Sequence, residues 1–195
     1  QSLSTNSEAG ALAAAVTIGY PVVLKTAAPG LLHKSDSGGV HLGITDDEAL
    51  RKAYAALAKL GPEVSVANMV TAGVEIAFGM INDAQFGPVV MVSAGGTMIE
   101  ILDDRAFAIA PFDRSEALRM LQSLKSWRML LGARGNPNAD TGRLAAALSS
   151  FSVICHAVGD LIAEIDVNPV IASATTAPAV DAVIVRKVDV EVASC

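Results

Sequence analysis

The run Ala163 to Val170 sets Glu164, Asp166 and Asn168 in alternation with Ile165 and Val167. On a strand, such alternation puts all three polar side chains on one face. With a turn centred between Ala174 and Thr175, the following strand folds back so that Asn168 stands opposite Asp181, side chains on the same side. Two carboxylates and an amide met by a third carboxylate repel one another unless a cation neutralises them. Hard oxygen ligands of this kind suit Mg²⁺, which takes few protein groups and completes its shell with substrate phosphates. The competing reading is an exposed sheet face with an Asn-Pro turn. Lys25, at the end of the apolar run Val22-Val23-Leu24, is a second candidate. A buried ammonium there needs an anion such as phosphate; an exposed strand-end lysine needs nothing. The third is His33-Lys34-Ser35-Asp36-Ser37-Gly38-Gly39. Its glycines let backbone N–H groups approach a ligand, Lys34 and Ser35 can bind phosphate oxygens, and His33 can act as base or nucleophile. It lacks the GK[ST] ending of a P-loop, and as a plain surface turn it fits equally well. Glu75 and Glu100 stand in otherwise apolar strands, where a carboxylate faces solvent, pairs with Arg or serves a site. His41 and His156 have no partner at ligand spacing and read as structural, and Cys155 as core packing.

The elements that must position these residues are legible from pattern. An Ala-rich helix over Ser7 to Ile18 ends at Gly19, and strands follow at Val22 to Thr26 and Val40 to Ile44. Thr45 with Glu48 fits a capping box for a helix carrying Leu50, Tyr54, Leu57 and Leu60, stopped by Gly61. Strands are expected at Val64 to Val70, Gly73 to Ile81, Gly87 to Val92 and Met98 to Leu102, with an Asn82-Asp83 turn. Ser115 is expected to cap a helix through Leu131, and Asp140 to start another carrying Leu144, Leu148, Phe151, Cys155 and Val158. Two strands, Ala163 to Ala172 and Ala179 to Val185, close the chain. Strands paired with sequence neighbours indicate an α+β fold with mainly antiparallel sheets, divided near Gly61 to Val70. The expected lobes are residues 1–69 and 70–195.

Composition narrows the function classes. Of 195 residues, 52% are hydrophobic and 17% charged, which excludes intrinsic disorder. Lys and Arg number 14 against 20 Asp and Glu, a net charge of −6 that argues against nucleic-acid or anionic-membrane partners. The weakly polar stretch Ala11 to Leu24 is broken by Gly19 and Pro21 and is too short to span a bilayer. Cys155 and Cys195 form no metal-type spacing or disulfide framework, so the expected setting is cytoplasmic.

In chain order the motifs are Gly19-Tyr-Pro-Val-Val-Leu-Lys25, His33-Lys-Ser-Asp-Ser-Gly-Gly-Val40, Gly73-Val-Glu-Ile76 and Asp83-Ala-Gln-Phe-Gly-Pro-Val-Val90. After them come Gly95-Gly96 with Glu100, Leu130-Leu-Gly-Ala-Arg-Gly135 with Asp140, and Glu164-Ile-Asp-Val-Asn-Pro169 with Asp181-Ala182. Together, from about Ser7 to Val185, they resemble the ATP-grasp domain of the NDP-forming acyl-CoA synthetases. That resemblance implies an ATP-grasp fold, two α+β lobes with the nucleotide between them. Carried over by position, Lys25 contacts ATP or ADP phosphates and Gly38 and Gly39 cover them, aided by Lys34 and Ser35. Glu75 lies along the nucleotide cleft, with Asn68, Gly95, Gly96 and Glu100 as further nucleotide contacts. Asn168 and Asp181 hold Mg²⁺, and His33 relays a phosphoryl group. Three stretches depart from the family pattern. Asn68 stands where Gln is usual, Ser93-Ala94-Gly95-Gly96 replaces Gly-Leu-Gly-Gly, and Ile101-Leu-Asp-Asp-Arg105 carries an Asp where Lys is common.

The implied activity is ADP-forming ligation of a small carboxylic acid to CoA, through phosphohistidine and an acyl phosphate. The implied partner is a CoA-binding subunit or domain that carries the primary phosphohistidine and holds most of the acid and CoA. The alternative is a nucleotide-sensing regulatory domain of a synthetase-like protein acetyltransferase; a succinyl-CoA synthetase relative is a third option.

Overall fold

The computed structural model describes residues 1–28, 37–95, 103–132 and 138–187. They fall into two compact units, Gln1–Met69 and Val70–Cys195. His33, Lys34, Ser35, Gly96 and Glu100, and the strand expected at Met98 to Leu102, lie outside the described residues.

In the first unit, β1 (Ser2–Thr5), β2 (Val22–Thr26), β3 (Val40–Ile44) and β4 (Val64–Asn68) form an antiparallel sheet in the order β1-β4-β2-β3. Helices α1 (Glu8–Ile18) and α2 (Asp47–Leu57) cover one face. The Ser7 hydroxyl caps α1 by accepting from the Gly10 amide at 3.2 Å. Gly19 ends it at φ 87, a left-handed conformation that glycine adopts without a Cβ clash. The cap of α2 is Asp46, not Thr45: its carboxylate accepts from the Ala49 amide at 2.9 Å, and Asp47 and Glu48 occupy the positive first turn. The helix stops at Leu57, so Leu60 lies beyond it. Leu50, Ala53 and Leu57 pack with Ala11, Ala15, Val22, Leu24, Val64 and Val66 in one core. Burying each Leu or Val contributes about 1.5–3 kcal/mol.

The second unit holds β5 (Val74–Asp83), β6 (Gly87–Ala94), β7 (Arg105–Ile109), β8 (Ile162–Ala172) and β9 (Ala182–Arg186), antiparallel in the order β7-β6-β5-β8-β9. Asp83 builds the β5–β6 turn by accepting from the amides of Gln85 and Phe86 at 2.8 and 2.9 Å. Helices α3 (Arg114–Ser123), α4 (Trp127–Leu130) and α5 (Thr141–Val158) follow β7. One continuous helix to Leu131 was expected. Instead Asp113 caps α3 by accepting from the Glu116 amide, and the backbone turns extended at Leu124 (ψ 138) before α4.

Asp140 caps α5 by accepting from the Arg143 amide at 2.8 Å. By length and composition α5 could cross a membrane, yet Leu144, Ala145, Leu148, Ser152 and Cys155 are buried, four of them in the second core. That core joins them to Ile76, Phe78, Met80, Val90, Val92, Ile165 and Val167 from one sheet face. Burial pushes the Cys155 thiol up to about 12, which suits packing and leaves it inert.

Candidate functional site

The register of β8 and β9 is the one read from the sequence. Ile165 pairs with Ile184, Asp166 with Val183 and Val167 with Ala182. One step further, the Asn168 amide donates to the Asp181 carbonyl at 3.2 Å, and Val170 bridges Ala179. Because Ile165 and Val167 point into the core, Glu164, Asp166 and Asn168 occupy the face turned away from the helices. On the β5 side the register slips by one residue between Ile76 and Phe78. Asn168 and Pro169 therefore oppose the single residue Ala77, a bulge of the kind that re-aims a side chain. Asn168 and Asp181 are both partly exposed, and Asp181 Oδ1 accepts from the Ala182 amide at 3.0 Å.

The same face carries Glu75, exposed and paired with Ile171. Gly95 folds directly onto it, its amide donating to the Glu75 carbonyl at 2.7 Å. A Cβ on Gly95 would come within 2.7 Å of the Glu75 carbonyl carbon, so only glycine allows this approach. Ser93, alternating with the buried Val92, lies on this face too and donates its hydroxyl to the Ala94 carbonyl.

In the first unit, Lys25 is half-buried on β2 and pairs with Val40 and Ser65. Its neighbours Val22 and Leu24 point into the core, so Lys25 shares the opposite face with Val23. Gly39 adjoins it, accepting at its carbonyl from the Thr26 amide at 2.8 Å, and Gly38 turns there at φ 67. Asn68 is not brought to Lys25. It pairs with Val22 at the other end of β2, exposed, with Oδ1 accepting from the Gln1 amino group at 2.6 Å. A hollow of about 330 Å³ lined by His41, Leu42, Gly43, Ile44 and Lys52 holds none of the expected site residues.

Among the described residues no three His, Cys, Asp or Glu side chains converge as a metal cage. Asn168 and Asp181 are backbone neighbours across the two strands, the Asn168 amide on the Asp181 carbonyl; Mg²⁺ is a cation that takes few protein oxygens when phosphates complete its shell. The sequence reading missed Asp104 and Arg105. Asp104 is buried and accepts from the Lys125 and Ser126 amides at 2.6 and 2.7 Å. Arg105 opens β7, whose alternation of exposed Arg105, Phe107 and Ile109 with Ala106 and Ala108 was a readable strand signal.

Residues 1–185 match the ATP-grasp domain family. The chain belongs to that family. It is 38% identical over 174 residues to the beta subunit of acetate–CoA ligase [ADP-forming] I from Pyrococcus furiosus, covering 85% of this chain and 75% of that one. It is 35% identical over 180 residues to the 4-hydroxybutyrate–CoA ligase [ADP-forming] of Nitrosopumilus maritimus, covering 88% of this chain but 26% of that one. The dinucleotide-forming acetyl-coenzyme A synthetase 1 of Ca. Korarchaeum cryptofilum, solved with coenzyme A, Ca-AMPCP and HgCl⁺, superposes with a TM-score of 0.88 at 34% identity. That match covers 96% of this chain and 85% of the other. The same protein is solved with coenzyme A and Mg-AMPPCP, its phosphohistidine segment pointing towards the nucleotide binding site; there the TM-score is 0.80 at 35% identity, over 95% and 84% of the two chains. This chain is thus the ATP-grasp part of the ADP-forming acyl-CoA ligases, and the α+β, antiparallel architecture is that of the family.

Proposed function

We propose that this chain binds Mg-ATP and passes its γ-phosphoryl group onward in an ADP-forming acyl-CoA ligase that joins a small carboxylic acid to CoA. The observation that carries the reading is the cross-strand pair Asn168–Asp181, on the same sheet face as Glu75 and the closely seated Gly95. Transferring a phosphoryl group demands positioning and charge neutralisation more than covalent help from the protein. Lys25 and the amides around Gly38 and Gly39 suit the phosphates, while Asn168 and Asp181 suit the Mg²⁺ that travels with the nucleotide and offsets phosphate charge.

His33 is assigned the relay. Histidine is the side chain whose neutral, nucleophilic form is generally within reach near pH 7, which suits such a relay. In the transfer a P–N bond forms as the bond to the β-phosphate oxygen breaks and ADP leaves. The phosphoryl group passes to the companion's histidine as the P–N bond to His33 breaks, and from there to the acid's carboxylate as the second P–N bond breaks; CoA thiolate then attacks the acyl carbonyl and releases phosphate. The Nitrosopumilus relative is about four times as long as the matched segment, in keeping with a companion region that binds CoA and carries the primary phosphohistidine. A cytoplasmic setting belongs to the same reading.

Calorimetric titration of the full-length protein with ATP and ADP, with and without Mg²⁺, is the test. Asp181→Ala is expected to cost on the order of 1–3 kcal/mol of Mg-nucleotide affinity and far less without metal. Equal losses in both conditions would make Asp181 structural.

A further inference from the structure

We propose that an apolar patch on the second unit's sheet, formed by Ile81, Val89, Met91, Phe107 and Ile109, is the seat of the CoA-binding companion region. Docked there, the companion presents its phosphohistidine to the nucleotide bound along the same face. The inference rests on the ligase reading above and adds to it the place where the partner sits.

The patch follows from strand register and alternation. Phe107 and Ile109 alternate with Ala106 and Ala108, which pack on the core, and Val89 and Met91 alternate with the buried Val90 and Val92. Ile81 follows the buried Met80 on β5, so all five side chains lie on the face turned away from the helices. Across the strands, Ile81 pairs with Val89 and Val89 with Ile109, while Gly79 pairs with Met91 and Met91 with Phe107. A Cβ on Gly79 would come within 3.1 Å of the Met91 methyl group, so the methionine lies over the glycine and covers its bare backbone. Ile81 is 54% exposed, Phe107 55% and Ile109 54%, with Val89 and Met91 half-buried between them. The next row, Ala77 and Ser93, is buried, whereas this patch is open. Single apolar residues on a surface need no explanation, but a contiguous group on three adjacent strands is of the kind that marks an interaction site.

Position, chain length and charge together name the occupant. The Gly79–Met91 row lies one pair-step, about 7 Å, from the row in which Ala77 opposes Asn168 and Pro169, and Glu75 and Gly95 lie one step further on. A body seated on the patch therefore borders the nucleotide end of the face without covering it. In the proposed relay the companion's histidine must come to this same face for its phosphoryl group. Much of such a ligase lies outside this chain, since the matched segment is 26% of the Nitrosopumilus relative. The rim of the patch is acidic: across β5 and β8, Ile81 pairs with the exposed Glu164 and Gly79 with Asp166. The companion's contact surface is accordingly apolar at its centre and basic where it meets β8. A second copy of this chain would bring the same carboxylates to the contact, a mismatch that a basic rim avoids.

The experiment installs benzoylphenylalanine, a photo-reactive phenylalanine, at position 107 of the full-length protein together with its CoA-binding region, and identifies the crosslinked peptide by mass spectrometry. The expected peptide belongs to the companion region. Phe107→Asp and Ile109→Asp are expected to slow labelling of the companion's histidine from γ-labelled ATP about tenfold or more, and to leave the dissociation constant for Mg-ATP within about twofold of the parent. Val153→Asp, equally exposed but on helix α5 at the other side of the sheet, should label at the parental rate. Crosslinks to a second copy of this chain, to residues 1–69 or to no protein overturn the seat. Parental labelling by both Asp variants, or an equal loss of Mg-ATP affinity, overturns it too. Those outcomes leave the ligase reading intact. A parent that fails to label the companion's histidine overturns that reading, and the crosslink alone then decides the seat.

Discussion

Asp104 shows how one buried carboxylate can order a region by itself. Its two oxygens accept the Lys125 and Ser126 amides, and its carbonyl accepts the Ala94 amide at 3.4 Å, next to Gly95. Burial pushes the carboxyl up, but hydrogen bonds from Ser126 and Lys125 outweigh this and hold it below the usual carboxylate range. A carboxyl depressed in the folded protein stabilises fully above its unfolded value of about 3.9, and that contribution fades as pH falls through the folded value. Asp104→Asn should therefore cost about 1–3 kcal/mol in urea denaturation between pH 5 and 8, with the gap to the parent closing in acid. A gap that persists below both values, or none at neutral pH, would deny Asp104 this role. The Asn168–Asp181 pair was readable in advance because alternation fixes the face and a short turn fixes the register. Asp104 was not, because its partners lie 21 and 22 residues away and only the fold brings them near.

At the scale of elements, the end of β6 is held by an approach only glycine permits. In Gly95→Ala the new Cβ would press on the backbone of Glu75 and Ile76, so the strand end must shift. The expected cost is about 1–3 kcal/mol, together with weakened ATP binding from displacement of Glu75. Thermal unfolding and titration of the same variant check both; unchanged stability would mean that β6 yields without cost. The element pattern was legible wherever one face is buried. Strands β2 and β3 have the expected bounds, and β8 and α5 differ by a residue at most. The caps moved because Asp46 and Asp113 offer carboxylates beside the expected Thr45 and Ser115, and a carboxylate is the stronger acceptor at a helix N-terminus. The break at Leu124 escaped detection because Asp104, distant in sequence, captures the two amides that follow it. Polar β1 escaped because Ser2, Leu3, Ser4 and Thr5 earn their place only by pairing with β4. In the second unit the more apolar run Met98 to Leu102 drew the strand assignment away from Arg105–Ile109.

The whole molecule consists of two units, each with its own hydrophobic core, and each carries a different part of the expected chemistry. Lys25 with the Gly38–Gly39 turn belongs to the first; Glu75, Gly95, Asn168 and Asp181 belong to the second. The central claim is that this chain draws a phosphoryl group from ATP and releases ADP, with His33 as the relay. The direct measurement supplies γ-labelled ATP and Mg²⁺ to the full-length protein together with its CoA-binding region, for the parent and His33→Asn. The parent should form ADP and move label to the companion's histidine, and added acid and CoA should discharge it as phosphate while acyl-CoA appears. In His33→Asn the transfer should fall by about a thousandfold or more. Release of AMP and pyrophosphate, or labelling of the companion's histidine by His33→Asn at near-parental rate, would contradict the account.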